Sequence, residues 1–239
     1  MLSGIHKVLD TKKPKETRET SEQWKTVTQF RDNGVVGLFA PGGKTMMYTT
    51  HYNSPIGNIL LAERDGGLIG LWIEGQKYYF GSGNDTITEN ETPILAQTKN
   101  WLDRYFAGEK PEIRELTLAP IGGDFRQSVW KILCEIPYGE TTTYGEIARK
   151  MAATMGKEKM SAQAVGGAVG HNQISIIIPC HRVVGTNGSL TGYAGGLATK
   201  MKLLTHEGVN MERLFIPKKR TDTMSASVRP YPPGSTETE

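Results

Sequence analysis

The chain has 239 residues, with 28 Lys and Arg against 25 Asp and Glu for a net charge of +3, and is 37% hydrophobic and 22% charged. That is the composition of a globular protein with one large or two small domains, basic enough to permit contact with nucleic acid but not to demand it. No apolar run approaches the ~18 residues of a membrane span, and two cysteines, Cys134 and Cys180, are too few for a disulfide framework and fit no CxxC metal spacing.

In chain order, residues 1–45 carry mixed charge without periodicity ("DTKKPKETRETSEQ") and read as a disordered extension. From Met46 the runs "MMYTTHY", "GNILLAE" and "GLIGLWIEG" predict short strands. Pro55 and Gly57, then Asp65-Gly66, are turn chemistry and predict an antiparallel hairpin meander. "PILAQTKNWLDRYFAG" follows, with Ile94, Leu95, Trp101, Leu102, Tyr105 and Phe106 on one helical face and Gly108 past its end. Residues 46–109 are therefore expected as a small α/β domain. Residues 110–122, with two prolines and a Gly pair, are expected as a linker that pairs partly as strand.

The second expected domain, 123–219, opens with "FRQSVWKILCEI", an amphipathic helix through Phe125, Val129, Trp130 and Leu133, with Cys134 as a small buried hydrophobe. Thr143 and Glu146 form a capping box ahead of "YGEIARKM". A second start at Ser161 leads "AQAVGGAVGHN" to an end near Asn172, and the two short helices suggest a helix-turn-helix. "ISIIIPCHRVV" is expected as a short strand carrying Cys180, interrupted by Pro179, which cannot donate to a ladder. A Gly-rich loop, "GTNGSLTGYAGGL", precedes a helix in "ATKMKLLTHEGV", with Leu203 and Leu204 inward and Gly208 at its end. Residues 220–239 read as a disordered Ser/Thr/Pro-rich tail. The fold class is thus α+β: an antiparallel sheet with a helix, then a mainly helical domain.

Two features point to chemistry. Gly166, Gly167 and Gly170 inside one short helix each cost about 1 kcal/mol relative to Ala. Either another helix packs tightly there, or the helix offers a smooth face to a confined space such as a nucleic-acid groove. Cys180 stands next to His181, and a thiol becomes a nucleophile beside a base or cation that lowers its pKa. Arg182 is open to a surface role, and Tyr193 is placed either to stack on a planar ligand or to anchor its loop through the hydroxyl.

In combination, "IPCHRVV", "GTNGSLTGYAGGL" and "LLTHEG", with "SPIGNILLA", "GLIGLW", "IPYGETTTYGEIA" and "AVGGAVG" in the same order, resemble the O6-alkylguanine-DNA alkyltransferases over about residues 46–219. The resemblance implies single-turnover repair of double-stranded DNA. A methyl or other alkyl group passes from O6 of guanine, or O4 of thymine, to Cys180. His181 acts through a bridging water, Glu207 polarises it, Asn172 braces the turn and Tyr144 protonates the departing guanine. Tyr193, Val183, Ala194 and Ser175 would bind the flipped base. Gln163, Ala164, Gly166, Gly167, Gly170, Thr143 and Arg182 would meet the DNA, with the glycine helix in the minor groove.

The same resemblance implies a monomer without cofactor; some family members carry a structural zinc near the N-terminus, but with Cys134 and Cys180 as the only cysteines none is expected here, and two reduced thiols fit a cytoplasmic setting. Gln163 stands where the family usually has Arg, which predicts weaker DNA affinity and a flatter salt dependence. Gln173 stands where Pro is common, which predicts a looser turn. The competing readings are a lesion-binding protein without chemistry and a cysteine hydrolase built on Cys180, His181 and Glu207.

Overall fold

The computed structural model describes residues 39–40, 44–79 and 85–217. The expectations for the extension before residue 39 and for the tail from 218 lie outside the described residues. The sheet is formed by β1 (Phe39–Ala40), β2 (Lys44–Ser54), β3 (Gly57–Arg64), β4 (Gly67–Ile73) and β5 (Thr86–Glu89). Strands β2, β3 and β4 form the expected meander, with Ser54 opposite Gly57 and Arg64 opposite Gly67. At the second turn Asp65 and Gly66 both take positive φ, 53° and 77°, the conformation that two-residue hairpin turns of this twist require. Beyond the meander, β5 pairs parallel with β2, from Met46↔Thr86 to Thr49↔Glu89.

Helix α1 (Pro93–Phe106) starts on Thr92, whose hydroxyl accepts from Leu95 N, and buries Leu95, Thr98, Trp101, Leu102 and Tyr105. The helical half holds α2 (Asp124–Cys134), α3 (Tyr144–Thr154), α4 (Ala162–Gly170) and α5 (Leu197–His206), with a two-strand parallel pair, β6 (Thr142–Thr143) and β7 (Val183–Val184). The capping box of Thr143 and Glu146 opens α3, and Ser161 caps α4. Trp130 Nε1 donates to Ala168 O, 2.9 Å away, which ties α2 to the buried side of α4. Cys134, at the end of α2, packs against the core, and burial pushes its thiol up to about 12, consistent with an inert hydrophobe.

One apolar core runs through both halves, from Ile59 and Leu71 in the sheet to Trp130, Val165, Ile177 and Leu203. The free edge of β4 joins them through the backbone. Leu68 N donates to Thr117 O and Ala119 N to Leu68 O, a single bridge from β4 to the segment 110–122, which forms no strand of its own. Farther along β4, Leu71 N donates to Gln173 O, and Ser175 N donates to Leu71 O. The chain that leads into Cys180 is therefore laid along the sheet edge.

The strand expected to carry Cys180 is corrected here. Its pairing is a single bridge, Ile174↔Leu71, and Cys180–Arg182 form a 3-10 turn ahead of β7. Ile176 takes φ +70°, a strained conformation for a β-branched residue, and ends any extended run. The Asn172 side chain supplies the hydrogen bonds that a strand partner would otherwise give.

Candidate active site

Asn172 follows α4 and is buried. Its Oδ1 accepts from Ile174 N at 3.0 Å. Its Nδ2 donates to Ile178 O at 2.8 Å, to Ile174 O at 3.3 Å and to Cys180 Sγ at 3.1 Å. One amide thus closes the turn and holds the sulfur. Cys180 is 4% exposed, and burial pushes its thiol up against the opposing pull of the Asn172 amide and the Lys200 ammonium. The resting group is a protonated thiol rather than a standing thiolate, so the chemistry needs a base.

That base lies on the next residue. His181 is fully buried, and its Nε2 sits 2.8 Å from Glu207 Oε1. Glu207 follows α5 and gathers donors from four directions. Arg182 Nε and Nη2 reach its two oxygens at 2.8 and 2.9 Å, Tyr105 Oη at 2.7 Å and Gly139 N at 3.4 Å. Burial raises its pKa, but the bonds from His181 and Arg182 outweigh that and hold it well below the usual carboxylate range. Against an ionised Glu207, a neutral His181 carries its proton on Nε2. Nδ1 is then a bare lone pair; it is buried and makes no hydrogen bond among the described residues. Burial also pushes His181 down, so the ring rests neutral and is ready to accept a proton.

Lys200 of α5 is fully buried beneath the Gly-rich loop. Its Nζ donates to Val183 O and, at 3.1 Å, to Thr191 O. Burial lowers its pKa to about 8, while the neighbouring sulfur favours the charged form. The cation clamps the loop to β7 and supplies positive potential near Sγ.

Outside this cluster lies a cleft of about 750 Å³, lined by α4 (Gln163, Gly166, Gly167, Gly170), Tyr144 and the loop residues Tyr193 and Ala194, among others. An added Cβ on Gly167 or Gly170 would have nothing within 4 Å, and one on Gly166 would meet only the Tyr144 ring at 3.7 Å. Tight helix packing therefore does not account for these glycines. The face that α4 buries is Val165, Ala168 and Val169, and its glycine face is left to the cleft. Among the described residues no helix is long and apolar enough to cross a membrane, and no group of three metal-ligating side chains occurs.

Comparison with known proteins bears directly on this arrangement. Residues 124–209 match the family "6-O-methylguanine DNA methyltransferase, DNA binding domain", and residues 47–120 match its "ribonuclease-like domain". The chain belongs to the 6-O-methylguanine DNA methyltransferase family. A methylated-DNA–protein-cysteine methyltransferase of Methanosarcina acetivorans is 47% identical over 163 residues, covering 68% of this chain and 99% of the relative. Its Haemophilus influenzae counterpart is 39% identical over 165 residues, covering 69% and 88%. The crystal structure of Mycobacterium tuberculosis OGT in complex with DNA shares 41% identity at a TM-score of 0.58, covering 68% of this chain and 92% of that one.

Within this methyltransferase family frame, the expected site residues divide into groups. Cys180, His181, Glu207 and Asn172 converge as expected. Tyr144 lines the cleft, its hydroxyl donating to Thr191 O at 3.2 Å. Tyr193 and Ala194 line it too, and the buried Tyr193 hydroxyl makes no hydrogen bond within normal geometry among the described residues. Val183 and Ser175 are fully buried instead. The Val183 carbonyl accepts from Lys200, and Ser175 Oγ donates to Gln76 Oε1 at 3.2 Å. Ala164 is exposed, and the Thr143 hydroxyl serves the α3 cap.

Two expectations are overturned. Arg182 is 6% exposed and locked onto Glu207 and Ile136 O, so it is no DNA-facing charge. Gln173 does not loosen its turn, because its side chain accepts from Ile121 N at 3.2 Å. Lys200, Tyr105 and Gln76 were missed. For Lys200 a signal existed: it lies three and four residues before the inward Leu203 and Leu204, on the same helical face.

Proposed function

We propose that this chain repairs alkylated double-stranded DNA by direct reversal, with Cys180 as the acceptor of an alkyl group from O6 of guanine or O4 of thymine. The observation that carries this reading is the single turn on which Asn172 Nδ2 touches the Cys180 sulfur while the adjacent His181 is held by Glu207. The glycine face of α4 enters the minor groove, and the target nucleotide flips into the cleft at a cost of a few kcal/mol. Tyr193 and Ala194 hold the base there, and Gln163 fills the space it leaves.

His181 Nδ1 takes the thiol proton through a bridging water. Glu207 stabilises the imidazolium, and Lys200 and Asn172 stabilise the sulfur anion. The thiolate attacks the alkyl carbon in line. The carbon–oxygen bond breaks with its electron pair on guanine, which takes a proton from Tyr144, and the relay returns the thiol's proton to that tyrosine. A thioether at Cys180 is the product, and no described group is placed to cleave it, so each molecule acts once. The protein works as a monomer, without cofactor, in the cytoplasm.

The test is a duplex with a labelled methyl on guanine oxygen. One label per protein on the peptide containing Cys180, and none in Cys180→Ser, is the expected result. Repeated turnover, or binding without transfer, overturns the reading.

A further inference from the structure

The sheet half reaches the cleft through one short segment that the reaction above does not use. After β4 the chain makes a turn at Gln76–Tyr79. Gln76 is buried, and its Oε1 accepts from Ile73 N at 2.8 Å and from Ser175 Oγ. Lys77 N donates to Ala194 O at 2.9 Å, which pins the turn to the Gly-rich loop that forms the opposite wall. Held from both sides, Tyr78 takes φ +59°, a left-handed conformation that is costly for a bulky side chain. The strain does not serve burial, since Tyr78 remains 52% exposed.

What the strained backbone achieves is a particular ring placement. The Tyr78 ring stacks on His171, the residue that caps α4, with centroids 4.3 Å apart and planes 23° from parallel. The Lys77 ammonium lies 5.1 Å from the same ring. Lys77, Tyr78 and His171 all line the cleft that holds Gln163 and Tyr193. Lys77 is also the one lysine, arginine, aspartate or glutamate among the described residues that line it. A cleft with one cation, no carboxylate and, at its rim, an aromatic pair whose tyrosine is exposed has the chemistry of a site for a nucleic-acid strand, with charge for phosphate and a π-face for a base.

We propose that Lys77 and the Tyr78–His171 pair form a second DNA contact at the end of α4, contributed by the sheet half. Lys77 neutralises a phosphate beside the flipped nucleotide, and the exposed Tyr78 ring supports a neighbouring base that has lost its stacking partner. The proposal deepens the proposed function and rests on it.

The test measures binding of a fluorescent duplex with a single O6-methylguanine against salt, in the full chain carrying Cys180→Ser to stop transfer. Lys77→Gln is expected to reduce the slope of log affinity against log salt by about 0.9, the contribution of one phosphate. Tyr78→Gly keeps the backbone conformation, because glycine adopts positive φ readily. It is expected to weaken binding at least fivefold, about the low end for one base on an aromatic side chain, while Tyr78→Phe retains parental affinity. Parental affinity and slope in both Lys77→Gln and Tyr78→Gly overturn the contact, as does a loss in Tyr78→Phe equal to that in Tyr78→Gly. Label transfer by the chain with Cys180 intact is measured in parallel. Its absence refutes the proposed function itself, whereas transfer with unchanged binding in the variants refutes only the second contact.

Discussion

Replacing Arg182 with methionine tests the central claim about how the site is held. In the folded protein the guanidinium gives two hydrogen bonds to Glu207 and one to Ile136 O, at 2.6 to 2.9 Å, in a position 6% exposed. Arg182→Met removes all three and leaves the Glu207 carboxylate buried with, among the described residues, Tyr105, Gly139 and His181 as donors. Breaking a buried pair from one side costs about 3–5 kcal/mol, because the remaining charge is uncompensated. For a chain of this size each kcal/mol moves the melting temperature by about 2–4 °C, so a fall of about 6–20 °C is expected by differential scanning calorimetry. Adding Glu207→Gln removes the stranded charge, and the double variant should be more stable than the sum of the two single losses predicts. DNA binding in Arg182→Met, measured well below its melting temperature, should keep the parental salt slope, since the side chain is not at the surface. A melting shift under about 2 °C together with a salt slope lower by about one would refute the reasoning and return Arg182 to the DNA interface.

Gly167→Ala is expected to stabilise the fold by about 1 kcal/mol through helix propensity, since the added Cβ meets nothing within 4 Å, yet to weaken duplex binding; melting curves and binding titrations check the two halves. Lys200→Met removes the cation near Sγ, so single-turnover transfer at neutral pH should fall about tenfold for each unit of added thiol pKa, with the rising limb of the pH–rate profile displaced upward. An unmoved limb would assign Lys200 to loop tethering alone. Stability should decline on acidification in two stages. Burial holds folded His181 below 6.5, so the unfolded chain gains a proton first as pH falls past that value. The stability that comes from the depressed Glu207 is present above 4.5 and is lost as pH falls below it. Urea midpoints that stay flat from pH 7 to 5 would contradict the first stage.

Local chemistry in the sequence carried much of the fold. Asp65-Gly66 specified its hairpin, Thr143 and Glu146 their capping box, and Ser161 its cap, because each acts within four residues. What escaped depends on partners far along the chain. Strand β5 is short and half-exposed and is defined by parallel pairing with a strand some 40 residues earlier. The isoleucine run before Cys180 has the composition of a strand, but Asn172 diverts it into a turn that no local preference announces. Cys180, His181 and Glu207 were found through their motifs rather than their spacing. Arg182 was misplaced for the same reason: its acid lies 25 positions downstream, and nothing nearby marks it as internal.

The bond pair between Leu71 and residues 173 and 175 gives β4 a role beyond architecture. A sheet edge advances in fixed steps, and the chain that carries the nucleophile is indexed to one of them. The sheet half, which reaches Glu207 through Tyr105, thus also sets the point along β4 from which the chain leading to the thiol departs. A slip of β4 by one residue would exchange its two buried faces, so the register that indexes the nucleophile is the same register that the core enforces.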